Sequence, residues 1–115
     1  MESSATLRYV RVSARKARLV ADLVRGKDVS DAIEALAFVE KKTGPILRKL
    51  VESAIANAEQ AAKRDDQDLD IDTLYIKTVL VDQGPTLRRF RPRAQGRATK
   101  ILKKMSHITV QLATR

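Results

Sequence analysis

Between Ile46 and Ala62, nine apolar residues (Ile46, Leu47, Leu50, Val51, Ala54, Ile55, Ala58, Ala61 and Ala62) recur at helical spacing and keep one unbroken face. Pro45 stands just ahead of them, where the first turn of a helix tolerates a residue without an N–H. At about 1.5 Å per residue this helix spans roughly 30 Å, close to the width of a small domain. It is expected to be the spine of the core, and its alanine-rich second half lets another element approach closely. The whole chain has 115 residues and 3% aromatic side chains, so a single core must be assembled from Leu, Ile, Val and Ala.

The remaining elements arrange themselves around that spine. Ala5 to Val12 reads as a short strand, with Leu7 and Tyr9 alternating against Arg8 and Val10. Ser13 is placed to cap a helix whose inward stripe is Ala17, Val20, Ala21 and Val24, with Gly26 as its stop and Arg15, Arg18, Asp22 and Arg25 on another face. A second helix is expected from Ser30 to about Val39, turning Ile33, Leu36 and Ala37 inward. After the polar run Arg64 to Asp68, the stretch Leu69 to Val81 reads as strand, with Leu74, Ile76, Thr78 and Leu80 on one face and Tyr75, Lys77, Val79 and Val81 on the other. Ser106 to Thr114 alternates through Ile108, Val110 and Leu112 and is its expected antiparallel partner. The order is β-α-α-α-β-β, an α+β fold in which a small antiparallel three-stranded sheet packs on helices.

Charge is distributed unevenly over this frame. The net charge is +9, but residues 1–27 carry seven Lys/Arg and two acids, residues 28–78 seven and eleven, and residues 79–115 nine and one. Two basic poles therefore flank an acidic middle, which points to one anionic partner contacted twice rather than to general solubility. The segment from Asp82 to Met105 lies between the last two strands and is too long and too charged for an ordinary hairpin loop. Its cations are Arg88, Arg89, Arg91, Arg93 and Arg97, followed by Lys100, Lys103 and Lys104, and Gly84, Pro85, Pro92 and Gly96 punctuate it as a shaped ribbon. Arms extended from Leu80 to a tip near Arg91 would project roughly 35 Å. Such a ribbon is marginal alone in water, so something outside the chain must hold it. Five arginines with no lysine among them fit bidentate phosphate contacts, and Phe90 is available for stacking. The implied partner is folded nucleic acid.

Other chemistries find little here. Without cysteine, disulfides, thiolate catalysis and Cys-containing zinc sites are excluded. Asp66, Asp68, Asp70 and Asp72 do not form a calcium loop, because Ile71 and Lys77 stand where glycine and an acid are needed. His107 and Ser106 are strand neighbours that point to opposite faces, so they make no catalytic pair. The four glycines are too dispersed for a phosphate-cradling loop. The expectation is a non-enzymatic protein with no cofactor, no metal, no secretory leader and no membrane span. A DNA-bending protein with a proline-tipped basic ribbon is the alternative, although it would want a two-armed dimer and gives no role to the basic face of the first helix.

The stretches RYVRVSARKARLVADLVRGK (Arg8 to Lys27), SAIANAE (Ser53 to Glu59), LYIKTVLVDQGPTLRRFRPRAQGRA (Leu74 to Ala98) and SHITV (Ser106 to Val110) closely resemble the bacterial large-subunit ribosomal protein family numbered twenty-two. Ala14 departs from the proline usual there, a change confined to the rigidity of the helix start. The resemblance implies a single domain, globular over 1–81 and 105–115, with an extended β-hairpin over 82–104. It implies large-subunit ribosomal RNA, neighbouring large-subunit proteins and the nascent peptide as partners, in the cytoplasm, for a chain that is monomeric when free. Arg8, Arg11, Arg15, Lys16 and Arg18 would contact RNA around the globular part, with Arg25, Lys100, Lys103 and Lys104 added from their charge. Arg88, Arg89, Phe90, Arg91, Pro92 and Arg93 would form the tip of the hairpin, which the resemblance places in the wall of the nascent-peptide exit tunnel, with Arg97 in the same region.

Overall fold

The apolar periodicity of residues 46–62 produces the long helix it predicts, and the other elements pack on it in order. The structure, a computed structural model, describes the backbone of residues 1–92 and 98–115 and the side chains of residues 1–88 and 102–115. Strand β1 (Glu2–Val10) is followed by helices α1 (Ala14–Val24), α2 (Val29–Ala37) and α3 (Thr43–Arg64), and then by a single 3-10 turn (Ile71–Thr73). Four strands complete the chain: β2 (Leu74–Gln83), β3 (Leu87–Pro92), β4 (Ala98–Lys103) and β5 (Ser106–Thr114). The order β1-β5-β2 makes a three-stranded antiparallel sheet, and β3 pairs with β4 in a separate two-stranded one. Helices cover one face of the larger sheet: α3 packs on β1 and β5, α1 on β2, and α2 on α3.

Val51, Ala54 and Ala58 of α3 are fully buried against this sheet, beside Val110 and Leu112 of the central strand. The small side chains bring the backbones close enough for polar contacts, with Ser3 Oγ donating to the Ala54 carbonyl at 3.0 Å. Asn57 Nδ2 likewise donates to the Ser4 carbonyl at 2.8 Å. These bonds carry β1 back to Glu2, rather than starting it at Ala5, although Glu2, Ser3 and Ser4 have no apolar alternation. The far end is also shorter than the expected Val12, because an extra residue between Leu7 and Val10 breaks the register with β5 and Tyr9 adopts φ +58°.

Two helix boundaries also move. Asp28, not Ser30, occupies the N-cap position of α2, so the buried stripe is Val29, Ala32 and Leu36. Ile33 packs at its margin, while Ala37, expected inward, is exposed in the last turn. Ala61 of α3 is likewise only half-buried. Gly44 lets the first turn of α3 pack closely on Val39, since a Cβ there would stand 3.0 Å from Val39 Cβ and 3.1 Å from its carbonyl oxygen and Val39 would have to shift. Gly26 closes α1 with φ +84°, the left-handed conformation a helix stop asks for.

The largest correction lies in β2. Leu74 and Ile76 point inward, but Leu80, expected on the same face as they are, is 51% exposed, while Val79 and Val81, expected on the other face, are buried. The cause is a β-bulge: Ile76 faces Leu112 while Thr78 faces Gln111, leaving Lys77 as the extra residue. The bulge inverts the phase of the strand, so both halves bury their branched residues. Lys77 itself stays on the open face and reaches across the sheet to Glu2, where the two form an ion pair.

That pair makes a testable pH signature. The hydrogen bond and charge of Lys77 hold the Glu2 carboxyl below its ordinary range, and Glu2 in turn raises the Lys77 ammonium. A lowered carboxyl contributes stability above its unfolded pKa and loses it as pH falls through the folded value. A raised ammonium contributes below its unfolded pKa and loses that as pH rises through the folded value. The urea midpoints of the parent and Glu2→Gln should therefore differ slightly at neutral pH and converge both in acid and in strong alkali. A constant difference across the whole range would contradict this.

The radius of gyration, 17.6 Å, exceeds the roughly 13 Å of a compact domain of this length, and the longest extent is 67 Å. The ribbon of β3 and β4 accounts for the excess. Leu87 faces Lys103 and Pro92 faces Ala98, while the continuity with β2 is broken at residues 84–86, where Pro85 has no N–H to donate. Gly84 N–H instead donates to the Met105 carbonyl at 2.9 Å and ties the root of the ribbon.

Candidate nucleic-acid interface

The basic residues of α1 arise from its amphipathic pattern: with Ala14, Ala17, Val20, Ala21 and Val24 buried, Arg15, Lys16, Arg18 and Arg25 are left on the outer faces. Its first turn lies beside the root of the ribbon because β1 and β2 flank β5 in one sheet. A cleft of about 620 Å³ opens there, lined by Arg11, Ser13, Lys16, Lys42, Leu102, Lys103 and Lys104. Five of the seven are cations and none is an acid. A smaller hollow, about 120 Å³, continues past Ser13 and Lys104 to Arg15, Arg18 and Gln83. Ser13 makes no side-chain bond to the helix start, so the first-turn N–H groups of α1 add their positive end to the same place. An electropositive, open groove of this kind attracts and seats a phosphate chain.

Of the predicted contact residues, the fold brings Arg11, Arg15, Lys16, Arg18, Lys103 and Lys104 together around these two hollows. Arg8 is exposed on β1 and lines neither. Arg18 and Arg25 have a second attachment that their sequence context does not reveal. Arg18 donates from Nε (3.2 Å) and Nη2 (3.0 Å) to the Val81 carbonyl, and Arg25 Nη2 donates to the Val79 carbonyl at 2.7 Å. Arg25 is also ion-paired with Asp22. Both guanidinium groups thus cover the outer edge of β2, following the carbonyl phase that the bulge sets, and Gly26 N–H covers the Ile76 carbonyl at 3.0 Å. Planar forks retain further donors for an external anion.

Arg88 is exposed near the start of β3. Arg89, Phe90, Arg91 and Pro92 occupy β3 and Lys100 occupies β4, but their side chains lie outside the described residues, as do Arg93 and Arg97 altogether. Lys42 is the cleft residue that sequence reasoning missed. It belongs to the net-acidic middle segment, yet its Nζ donates to the Arg11 carbonyl at 3.0 Å and it lines the same cleft as Lys103 and Lys104. The doublet Lys41-Lys42 just ahead of the Pro45 helix start was the only local signal.

Nothing in the site argues for catalysis. His107 Nδ1 accepts from the Tyr9 N–H at 3.1 Å and its ring meets the Tyr9 ring edge-on, while Ser106 Oγ donates to the Val12 carbonyl in the interior. Among the described residues no cluster of His, Asp or Glu could hold a metal, and no helix is long and apolar enough to cross a membrane.

Comparison with known proteins converges on one family. The family described as ribosomal protein L22p/L17e matches residues 5–113. A protein of Bdellovibrio bacteriovorus called large ribosomal subunit protein uL22 is 58% identical over 112 residues, 97% of each chain. Proteins of the same name from Syntrophobacter fumaroxidans and Desulfotalea psychrophila are each 55% identical, over 98% and 97% of both chains respectively.

Proposed function

The chain belongs to the ribosomal protein L22p/L17e family, a family of structural and non-enzymatic ribosomal proteins, and from that premise we propose how it works in the large subunit. It binds large-subunit ribosomal RNA at two poles, one on the globular part (residues 1–81 and 105–115) and one along the hairpin (82–104), and so joins distant RNA segments during assembly. The hairpin, from Arg88 to Arg97, threads between RNA helices, and its far part, with Arg91 next to the last pair of β3, forms part of the wall past which the nascent peptide leaves. The protein is monomeric until RNA takes it up, and as a ribosomal component it works in the cytoplasm.

The observation that carries this reading is the acid-free cleft of Arg11, Lys16, Lys42, Lys103 and Lys104 at the root of the ribbon. It brings cations of both basic poles onto one surface, from which an RNA contact can run from the globular part onto the hairpin. Neutralising phosphates releases counterions, so binding should weaken steeply with salt.

Two measurements test the proposal. On a sucrose gradient of cell extract the tagged chain should travel with large subunits; travel with nucleoid DNA and absence from large subunits would sink it. The chain has no cysteine, so Arg91→Cys creates a unique handle. In translating ribosomes this thiol should crosslink to the nascent peptide, and capture of RNA alone would remove the tunnel assignment.

A further inference from the structure

Helix α1 has an apolar side that its own core does not use. Leu19 and Leu23, one turn apart, are 55% and 52% exposed, and Phe38, at the end of α2, is 80% exposed. A groove of about 550 Å³ runs between Leu19, Leu23 and Val39, with Glu40 and Lys41 on its rim. A second, of about 510 Å³, continues it from Leu19 and Lys41 to Val12, Lys16, Lys42 and Thr43. Half-exposed leucines set one helical turn apart around a groove form the kind of apolar face that protein partners cover.

We infer that this double groove is the seat of an amphipathic segment from a neighbouring large-subunit protein. The segment would place apolar anchors between Leu19, Leu23 and Val39, with a carboxylate at the Lys16–Lys42 end and a cation at the Glu40 end. The inference rests on the ribosomal reading above and adds the protein-contact face to it. The apolar lining decides between polypeptide and RNA here, because the charges are mixed, with Lys16, Lys41 and Lys42 set against Glu40. A phosphate chain has no apolar side chain to fill the groove and meets Glu40 at one end of it, whereas a polypeptide can carry both signs and an anchor. The second groove shares Ser13, Lys16 and Lys42 with the basic cleft, so the seated segment would abut the RNA bound there.

The test uses the full chain with the photoreactive residue p-benzoylphenylalanine in place of Leu23, assembled into large subunits in cells. Irradiation of purified subunits should link position 23 to a peptide of a large-subunit protein, identified by mass spectrometry, that contains both apolar and acidic residues. The same probe at Lys104 should link to ribosomal RNA. Adding Leu19→Asp should lower the protein crosslink by about tenfold while leaving the Lys104 product unchanged. Leu19 is half-exposed, and an unchanged melting temperature of the isolated variant would show that its fold is intact. A crosslink from position 23 to RNA, or no crosslink with the chain present in the particle, overturns the groove assignment alone. Absence of the chain from large subunits overturns the ribosomal reading and this inference with it.

Discussion

Replacing Lys16, Lys42, Lys103 and Lys104 together by glutamine should lower affinity for large-subunit ribosomal RNA on the order of 10³-fold at about 0.1 M salt relative to about 1 M, and flatten the salt dependence by about three log units per decade. Both figures come from one cause. Each phosphate contact contributes ~0.7 to 0.9 to the slope of log K against log salt, so losing four removes about 3 from it, and extrapolation to about 0.1 M gives the affinity change. The four residues are exposed and line one cleft, so substitution should leave the fold within about 0.5 kcal/mol of the parent. Lys49→Gln with Lys63→Gln, two exposed lysines of α3 that line neither the cleft nor the hollow beside it, supplies the control and should leave slope and affinity nearly unchanged. Filter binding across a salt series measures both. Equal slopes for the cleft variant and the parent would show that the cleft is not where RNA sits.

Much of the frame that places this cleft was legible along the chain. Helix α3 was, because nine apolar residues over five turns leave one face to bury and Pro45 falls in the first turn, where a helix tolerates it. Helix α1 was, since Ser13 and Gly26 bracket it. The two basic poles were legible as charge, but not their convergence, which depends on the spatial order β1-β5-β2. Lys42 shows the difference: its neighbours in sequence are in the acidic segment, and its neighbours in space are Arg11, Lys103 and Lys104. Arg18 and Arg25 show it again, because a helix face does not reveal that the edge carbonyls of a strand more than fifty residues later lie within reach. The function came from residue order and identity over nearly the whole chain, above all the Gly, Pro and Arg pattern of residues 82–97, which no count of charge supplies.

The bulge at Lys77 is the sharpest case of a feature written in pairing rather than in local pattern, and it predicts opposite outcomes for adjacent residues. Strict alternation from Leu74 puts Leu80 in the core and Val79 outside; the bulge puts Val79 in the core, 2% exposed, and Leu80 outside. Val79→Asp therefore buries a carboxylate among apolar side chains, and the cation at this residue, Arg25, is already engaged by the Val79 carbonyl and by Asp22. Such a group costs several kcal/mol, a large share of the ~5–15 kcal/mol that holds a domain of this size together. The expected result is loss of the cooperative thermal transition, or a charge suppressed by a strongly raised pKa in a barely stable fold. Leu80→Asp, on the open face opposite Thr109, should melt within a few degrees of the parent. Circular dichroism melts of the two variants decide the matter. If Leu80→Asp unfolds and Val79→Asp does not, the strand runs in unbroken alternation. The bulge and the arginine-covered edge of β2 would then fall together, since both depend on the same inverted phase.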